Sequence, residues 1–207
     1  MQGLCGVILA AGASSRMGRD KALLPWPPGA PEGSTLLSAS IRALKPFADT
    51  VVVVAGHNGE SLAPIIEACG AYAVRNPAPE RGQFSSLQVG LREVLARGCE
   101  VAMITPVDCP PLSTATLELL VQEFVKACAQ GRWAVAPESN GHRGHPLLAA
   151  RPLIDAFLNA PLTSNAREVK RAHAQHFVYV SVPDQVYADM NTPEEYAAIA
   201  AARQGPH

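Results

Sequence analysis

The chain has 207 residues, 48% of them apolar, and a formal charge of −1. That length can bury a sizeable core as a single domain spanning 1–207, and the balanced charge supplies no global field for nucleic acid or an anionic membrane. Five scattered cysteines with no C-x-x-C pair argue against a disulfide framework or a zinc site and suit a reducing cytoplasm.

Residues 4–13 are apolar, and Ala11-Gly12-Ala13 imitates a signal-peptidase site. No basic stretch precedes them and the run is too short to span a bilayer, so residues 5–10 are expected to form a buried strand of a parallel sheet. The chain leaves that strand through a small-residue loop in which Gly12 and Gly18 let the backbone approach a ligand while Arg16 and Lys21 set positive charge beside exposed N–H groups. A loop at a strand's carboxyl end lies where open α/β sheets bind ligands, and a polyphosphate suits this one. A Gly/Ser turn with two solvated cations is the rival reading. Neither the Walker A pattern nor the dinucleotide Gly-x-Gly-x-x-Gly fits.

The proline-rich stretch 25–31 reads as an exposed flap, after which Ser34 can cap a helix over 35–44. Residues 51–55 read as a second buried strand and 62–69 as the helix crossing back. His57, at that strand's end, reads as a loop histidine bonded to nearby backbone. A short strand over 72–75 and a loop over 76–82 lead to a helix in which Leu87, Leu91, Val94 and Leu95 recur at helical spacing. Ser85 and Ser86 are its natural caps, and its first N–H groups can also meet an anion. Residues 101–107 form the fourth buried strand. Asp108 follows at its carboxyl end, placed either to hold Mg²⁺ against phosphates or to make an ordinary turn. Ser113 then caps a helix whose apolar face is Leu117, Leu120, Val121, Phe124 and Val125.

A strand over 133–137 enters a hairpin-like connection, 138–146, and continues into 147–150. His142 and His145 lack sulfur or carboxylate partners at metal-ligand spacing, so an anion role for this loop is preferred, with a solvated hairpin tip as its rival. A short helix covers 153–158. Ser164 caps the next, whose Arg167, Lys170 and Arg171 read as a solvated basic face. Residues 177–182 alternate as a strand, 185–189 extend the sheet, and Thr192 with Glu195 makes a capping box behind Pro193. The tail after Arg203 reads as frayed. Alternating strands and helices of this kind predict a three-layer α/β/α fold with a mainly parallel sheet.

Leu9-Ala10-Ala11-Gly12-x-x-x-Arg16-Met17-Gly18-x-x-Lys21 resembles the signature loop of the MobA-like NTP transferases. The likeness continues at Ser85-Ser86-Leu87, Asp108-Cys109-Pro110, Gly141-His142-Arg143-Gly144-His145-Pro146 and Asp189-Met190-Asn191-Thr192-Pro193-Glu194. The resemblance implies a Rossmann-like nucleotidyltransferase in which Leu9, Ala10, Ala11, Gly12, Arg16, Lys21, Ser85, Ser86 and Asp108 bind the nucleotide. Arg16 and Lys21 would neutralise the leaving pyrophosphate. Asp108 and Asp189 would hold Mg²⁺, with Asn191 an alternative ligand through its carbonyl. Arg143, Gly144 and His145 would shape the acceptor's pocket. Ala11 looks like the cytidylyl-transferring branch, which implies CTP as donor and a molybdopterin-type cofactor as acceptor, and allows a molybdoenzyme client. Guanylyl transfer, sugar-1-phosphate nucleotidyl transfer and a non-catalytic cofactor chaperone are the alternatives.

Overall fold

The computed structural model describes residues 3–12, 18–31, 33–161, 163–183, 190 and 192–203. Arg16, Asp189, Asn191 and the strand expected over 185–189 lie outside the described residues.

A single sheet organises the chain. Its order is β3 (Tyr72–Arg75), β2 (Thr50–Ala55), β1 (Leu4–Ala10), β4 (Val101–Pro106), β7 (Leu147–Ala150), β5 (Ala134–Ser139), with β6 (His142–Arg143) and β8 (Phe177–Ser181) both on β5. β1 pairs in parallel with β2 and β4, in register at Val7 opposite Val52 and Ile104, and β5 pairs in parallel with β8. Only β7 and the two-residue β6 run against the rest. The sheet is mainly parallel, as expected.

Every residue of β1 is buried, and its alternation divides the core in two. Leu4, Ile8 and Ala10 face α1 (Leu36–Leu44), α2 (Gly59–Ala68) and α4 (Thr114–Ala129) through Leu37, Ile41, Leu62, Leu120 and Phe124. Cys5, Val7 and Leu9 face α3 (Gln83–Ala96), α5 (Arg151–Asn159) and α6 (Ala166–Ala172) through Leu91, Phe157 and Val169. The result is a three-layer α/β/α fold of the Rossmann-like kind. All five cysteines are free thiols, and burial beside Cys99 pushes the Cys5 thiol up to about 12.

Several local expectations shift. Thr35, not Ser34, caps α1, in a reciprocal box with Ser38. In the proline-rich stretch Pro25, Pro27, Gly29 and Pro31 are exposed as expected, but Trp26 is only 3% exposed and packs with Leu36, Met190 and Tyr196, because α7 (Pro193–Arg203) lies over it and the Tyr196 hydroxyl donates to the Pro25 carbonyl at 2.7 Å. α2 begins earlier than the apolar pattern suggests. Val125 is 51% exposed, since α4 buries the stripe through Leu117, Leu120 and Phe124 and Val125 lies a further step round the helix. Asn165 caps α6, accepting from the Glu168 N–H, while Ser164 donates instead to the Glu168 carboxylate. The Thr192–Glu195 capping box is present as expected, with both bonds near 3 Å (3.0 and 3.2 Å).

Candidate active site

β1 leads through α1, β2 and α2 to β3 on one side, and α3 then returns along the opposite face so that β4 lies beside β1 on the other. The chain therefore reverses its direction of winding between β1 and β4, and open α/β sheets form their ligand crevice outside the carboxyl ends at such a point. Lys21 and Asp108 meet there, Nζ to Oδ2 at 2.8 Å, with side chains 12% and 23% exposed. They are 87 positions apart in the chain. The Met190 N–H donates to the Asp108 carbonyl at 3.1 Å, so the closing segment also reaches this rim.

Two residues that sequence reasoning passed over hold Lys21 in place. Asp20 Oδ1 accepts from the Ala22 N–H at 2.9 Å and caps the short 3-10 turn Lys21–Leu23, while Oδ2 accepts from the Asn58 amide at 2.6 Å. Asn58 Nδ2 also donates to the Ala10 carbonyl at 2.9 Å, and its Oδ1 accepts from the Gly56 N–H at 3.0 Å. One amide thus ties the ends of β1 and β2 to the cation-bearing turn. Because that side chain is committed, Asn58 sits at the N-cap of α2 without capping it. The sequence signal was an Asn beside the more conspicuous His57, which lies exposed on the cleft wall with no hydrogen-bond partner among the described residues.

Ser85 and Ser86 lie within the first turn of α3 and do not cap it; Gly82 occupies the N-cap with φ 89° and ψ 178°, a conformation essentially confined to glycine. Asn76, buried at the end of β3, donates through Nδ2 to Ser85 Oγ at 2.9 Å and Ser86 Oγ at 3.0 Å, and accepts from the Ala78 N–H. Ser85 turns its own hydroxyl to the Gly82 carbonyl at 2.8 Å. Ser86 lines a cleft of about 300 Å³ with Leu9, Ala11, Gly12, Lys21 and Asp108. Ala10 is buried, its carbonyl taken by Asn58. A Cβ on Gly12 would meet nothing within 4 Å among the described residues, and its bare backbone faces the cleft. A larger cleft, about 680 Å³, opens on the other side of Gly12 between Asp20, His57, Asn58 and Glu80.

The second loop lies apart from this pair. The Arg143 guanidinium stacks 3.8 Å over the Tyr179 ring and approaches Glu138 at 3.7 Å. The Gly144 N–H is spent on the Pro137 carbonyl at 2.9 Å, and His145 Nδ1 lies 3.4 Å from the Ile104 carbonyl. Arg167 and Arg171 of α6 are exposed, as read from sequence, and with the half-buried Lys170 they join Arg143 and His145 around a cavity of about 360 Å³. Lys170 is half-buried, and burial first, then the neighbouring Arg167 and Arg143, lowers its pKa. Among the described residues no group of three or more His, Cys, Asp or Glu side chains could hold a metal, and no helix is long and apolar enough to cross a membrane.

Residues 6–177 match the MobA-like NTP transferase domain family. The chain is 26% identical over 191 residues to the molybdenum cofactor cytidylyltransferase of Escherichia coli, covering 92% of each chain. It is 29% identical over 207 residues to the molybdenum cofactor guanylyltransferase of Xanthomonas euvesicatoria, covering 94% of this chain and 93% of that one. Among solved structures it superposes on Rv0371c of Mycobacterium tuberculosis with a TM-score of 0.76 at 22% identity, over 96% of this chain and 97% of the other.

Proposed function

Because the chain belongs to the MobA-like NTP transferase family, we propose that it transfers CMP from CTP to the terminal phosphate of molybdenum cofactor and releases pyrophosphate. The observation that carries this reading is the placement of Lys21 and Asp108 together at the crevice between β1 and β4, beside the bare backbone of Gly12. The whole-length likeness to molybdenum cofactor cytidylyl- and guanylyltransferases supports the acceptor. Ala11, which lines both clefts beside Gly12, supports CTP as the donor.

In the reaction, an acceptor phosphate oxygen attacks the α-phosphorus in line, the bond between that phosphorus and the bridging oxygen breaks, and pyrophosphate departs with the electron pair. The attacking phosphate is already anionic near neutral pH, so no general base is needed, and catalysis is positioning plus neutralisation of charge. Lys21, steadied by Asp20 and Asn58, neutralises the leaving pyrophosphate; Arg16 is proposed for the same task. Asp108 fits Mg²⁺, since it offers a half-buried carboxylate at the rim, and Mg²⁺ takes one or two carboxylates and completes its shell with water and substrate phosphate. Asp189 is proposed as the second carboxylate. Bound there, Mg²⁺ would supply Lewis-acid neutralisation of phosphate charge. Arg143, Gly144 and His145 are proposed to border the acceptor.

The test is pyrophosphate release with Mg²⁺ and each NTP in turn, with and without molybdenum cofactor. The expected result is release that requires the cofactor and has its highest kcat/KM with CTP. Higher kcat/KM with GTP would move the chain to guanylyl transfer, and release with a sugar 1-phosphate in place of the cofactor would overturn the acceptor.

A further inference from the structure

Trp26, Leu36 and Met190 form a small buried apolar cluster separate from the two halves of the main core, with Tyr196 and Ile199 of α7 packed against it. Three parts of the site run into this cluster. The Lys21–Leu23 turn passes directly into the proline-rich strap, which is closed at its base: the Trp26 N–H donates to the Ser34 carbonyl at 2.9 Å and the Leu36 N–H to the Leu24 carbonyl at 2.8 Å. Asp108 enters through its own carbonyl, which accepts from the Met190 N–H at 3.1 Å. The closing segment supplies Met190 itself, which stands in the chain between Asp189 and Asn191. From outside, the Tyr196 hydroxyl fastens α7 to the Pro25 carbonyl, and burial pushes its phenol above the ordinary pKa, against the opposing charge of Arg19, so it stays a donor near neutral pH.

We infer that Met190 is a positioning residue for the metal end of the site: packed with Trp26 and Leu36 under α7, it holds the closing segment against Asp108, so that Asp108 and Asp189 reach one divalent cation. The inference rests on the transfer reading above, with Asp189 as second carboxylate, and adds to it what sets the spacing of the two. Mg²⁺ demands near-ideal octahedral geometry at short range, so two carboxylates serve it together only when the segments that carry them keep a fixed separation. Asp108 has that from the sheet, because the Val107 N–H just before it donates to the Leu9 carbonyl at 3.0 Å. Asp189 lies in the stretch between β8 and α7, and the anchor next to it in the chain is Met190, whose side chain is fully buried. A buried apolar side chain fixes its backbone through packing, and the bond from its N–H to Asp108 turns that fixity into a spacing between the two metal-bearing segments.

Binding of Mn²⁺ to the full chain tests this without turnover, read from the electron paramagnetic resonance signal of the free ion beside a CTP analogue with a methylene bridge between the α- and β-phosphorus, against a control without protein. Met190→Ala and Tyr196→Phe are each expected to raise the Mn²⁺ dissociation constant by about five- to tenfold, the order of one lost hydrogen bond or packing contact. Met190→Leu, close to methionine in volume, should bind as the wild type does. Pyrophosphate release should follow the same division, with half-saturating Mg²⁺ raised in the first two variants and kcat at saturating Mg²⁺ largely kept. Tyr196→Phe keeps its ring, so the test stands even where Met190→Ala fails to fold. A lower urea midpoint with an unchanged Mn²⁺ constant would reduce the cluster to a stabilising role and overturn the inference. Wild-type protein that binds neither Mn²⁺ nor the analogue would overturn the transfer reading and the inference with it, so the two failures are distinguishable.

Discussion

At the scale of residues, the account turns on Lys21 and its setting. A lysine at the end of a flexible stem is a poor point charge unless its turn is fixed, and here the turn is capped by Asp20, which the Asn58 amide clamps to the ends of β1 and β2. Lys21→Ala removes the charge proposed to neutralise the leaving group, and turnover is expected to fall about a hundredfold. The variant should stay folded, because Asp20 still caps the turn and Asp108, 23% exposed, keeps contact with water. Far-ultraviolet circular dichroism together with pyrophosphate release checks both halves, and near-normal release by the folded variant would remove Lys21 from the reaction. Asp108 was legible in the sequence because it follows a strand signal almost directly, and Lys21 because it closes the glycine-bearing loop that leaves β1. Asn58 and Lys170 were not. Asn58 acquires its role from a partner 38 positions away, and the surroundings of Lys170 depend on how α6 settles against β6 and β8.

At the scale of elements, α3 joins the core to the site. Its inner face approaches the sheet so closely that a Cβ on Gly90 would lie 2.7 Å from Val7 Cγ1 and 3.0 Å from Val54 Cγ2. Both obstacles are β-branched side chains fixed within central strands and cannot swing aside cheaply. Gly90→Val should therefore destabilise the fold by roughly 1–3 kcal/mol, the usual range for overpacking, measured as a lower urea midpoint. An unchanged midpoint would mean that α3 is free to lift from the sheet. The helix itself was legible from its leucine spacing, but its first turn was misread, because serines near a helix start signal a cap only when the backbone is free to use them. Asn76 claims both hydroxyls, and Gly82 takes the capping position through a conformation open to glycine. The same competition for hydrogen bonds moved the cap of α6 to Asn165, because the Ser164 hydroxyl is spent on the Glu168 carboxylate.

At the scale of the whole molecule, the buried runs of β1, β2 and β4 and the helices between them were enough to indicate a mainly parallel three-layer fold. The antiparallel β7 was legible only through the hairpin-like connection 138–146 that leads into it, since Leu147–Ala150 by itself is a short apolar run that carries no mark of its direction. That insertion has a consequence for the site: by pairing with both β4 and β5, β7 brings His145 to the edge of β4 and links the crevice to the basic cavity under α6. The central claim is that the crevice between β1 and β4 directs attack to the α-phosphorus. The most direct measurement incubates the protein with Mg²⁺, molybdenum cofactor and CTP labelled at either the α- or the γ-phosphate, then follows the label. The account predicts that the α-label enters the cofactor product and the γ-label leaves as pyrophosphate. Entry of the γ-label into the cofactor, or no transfer of either, would contradict it.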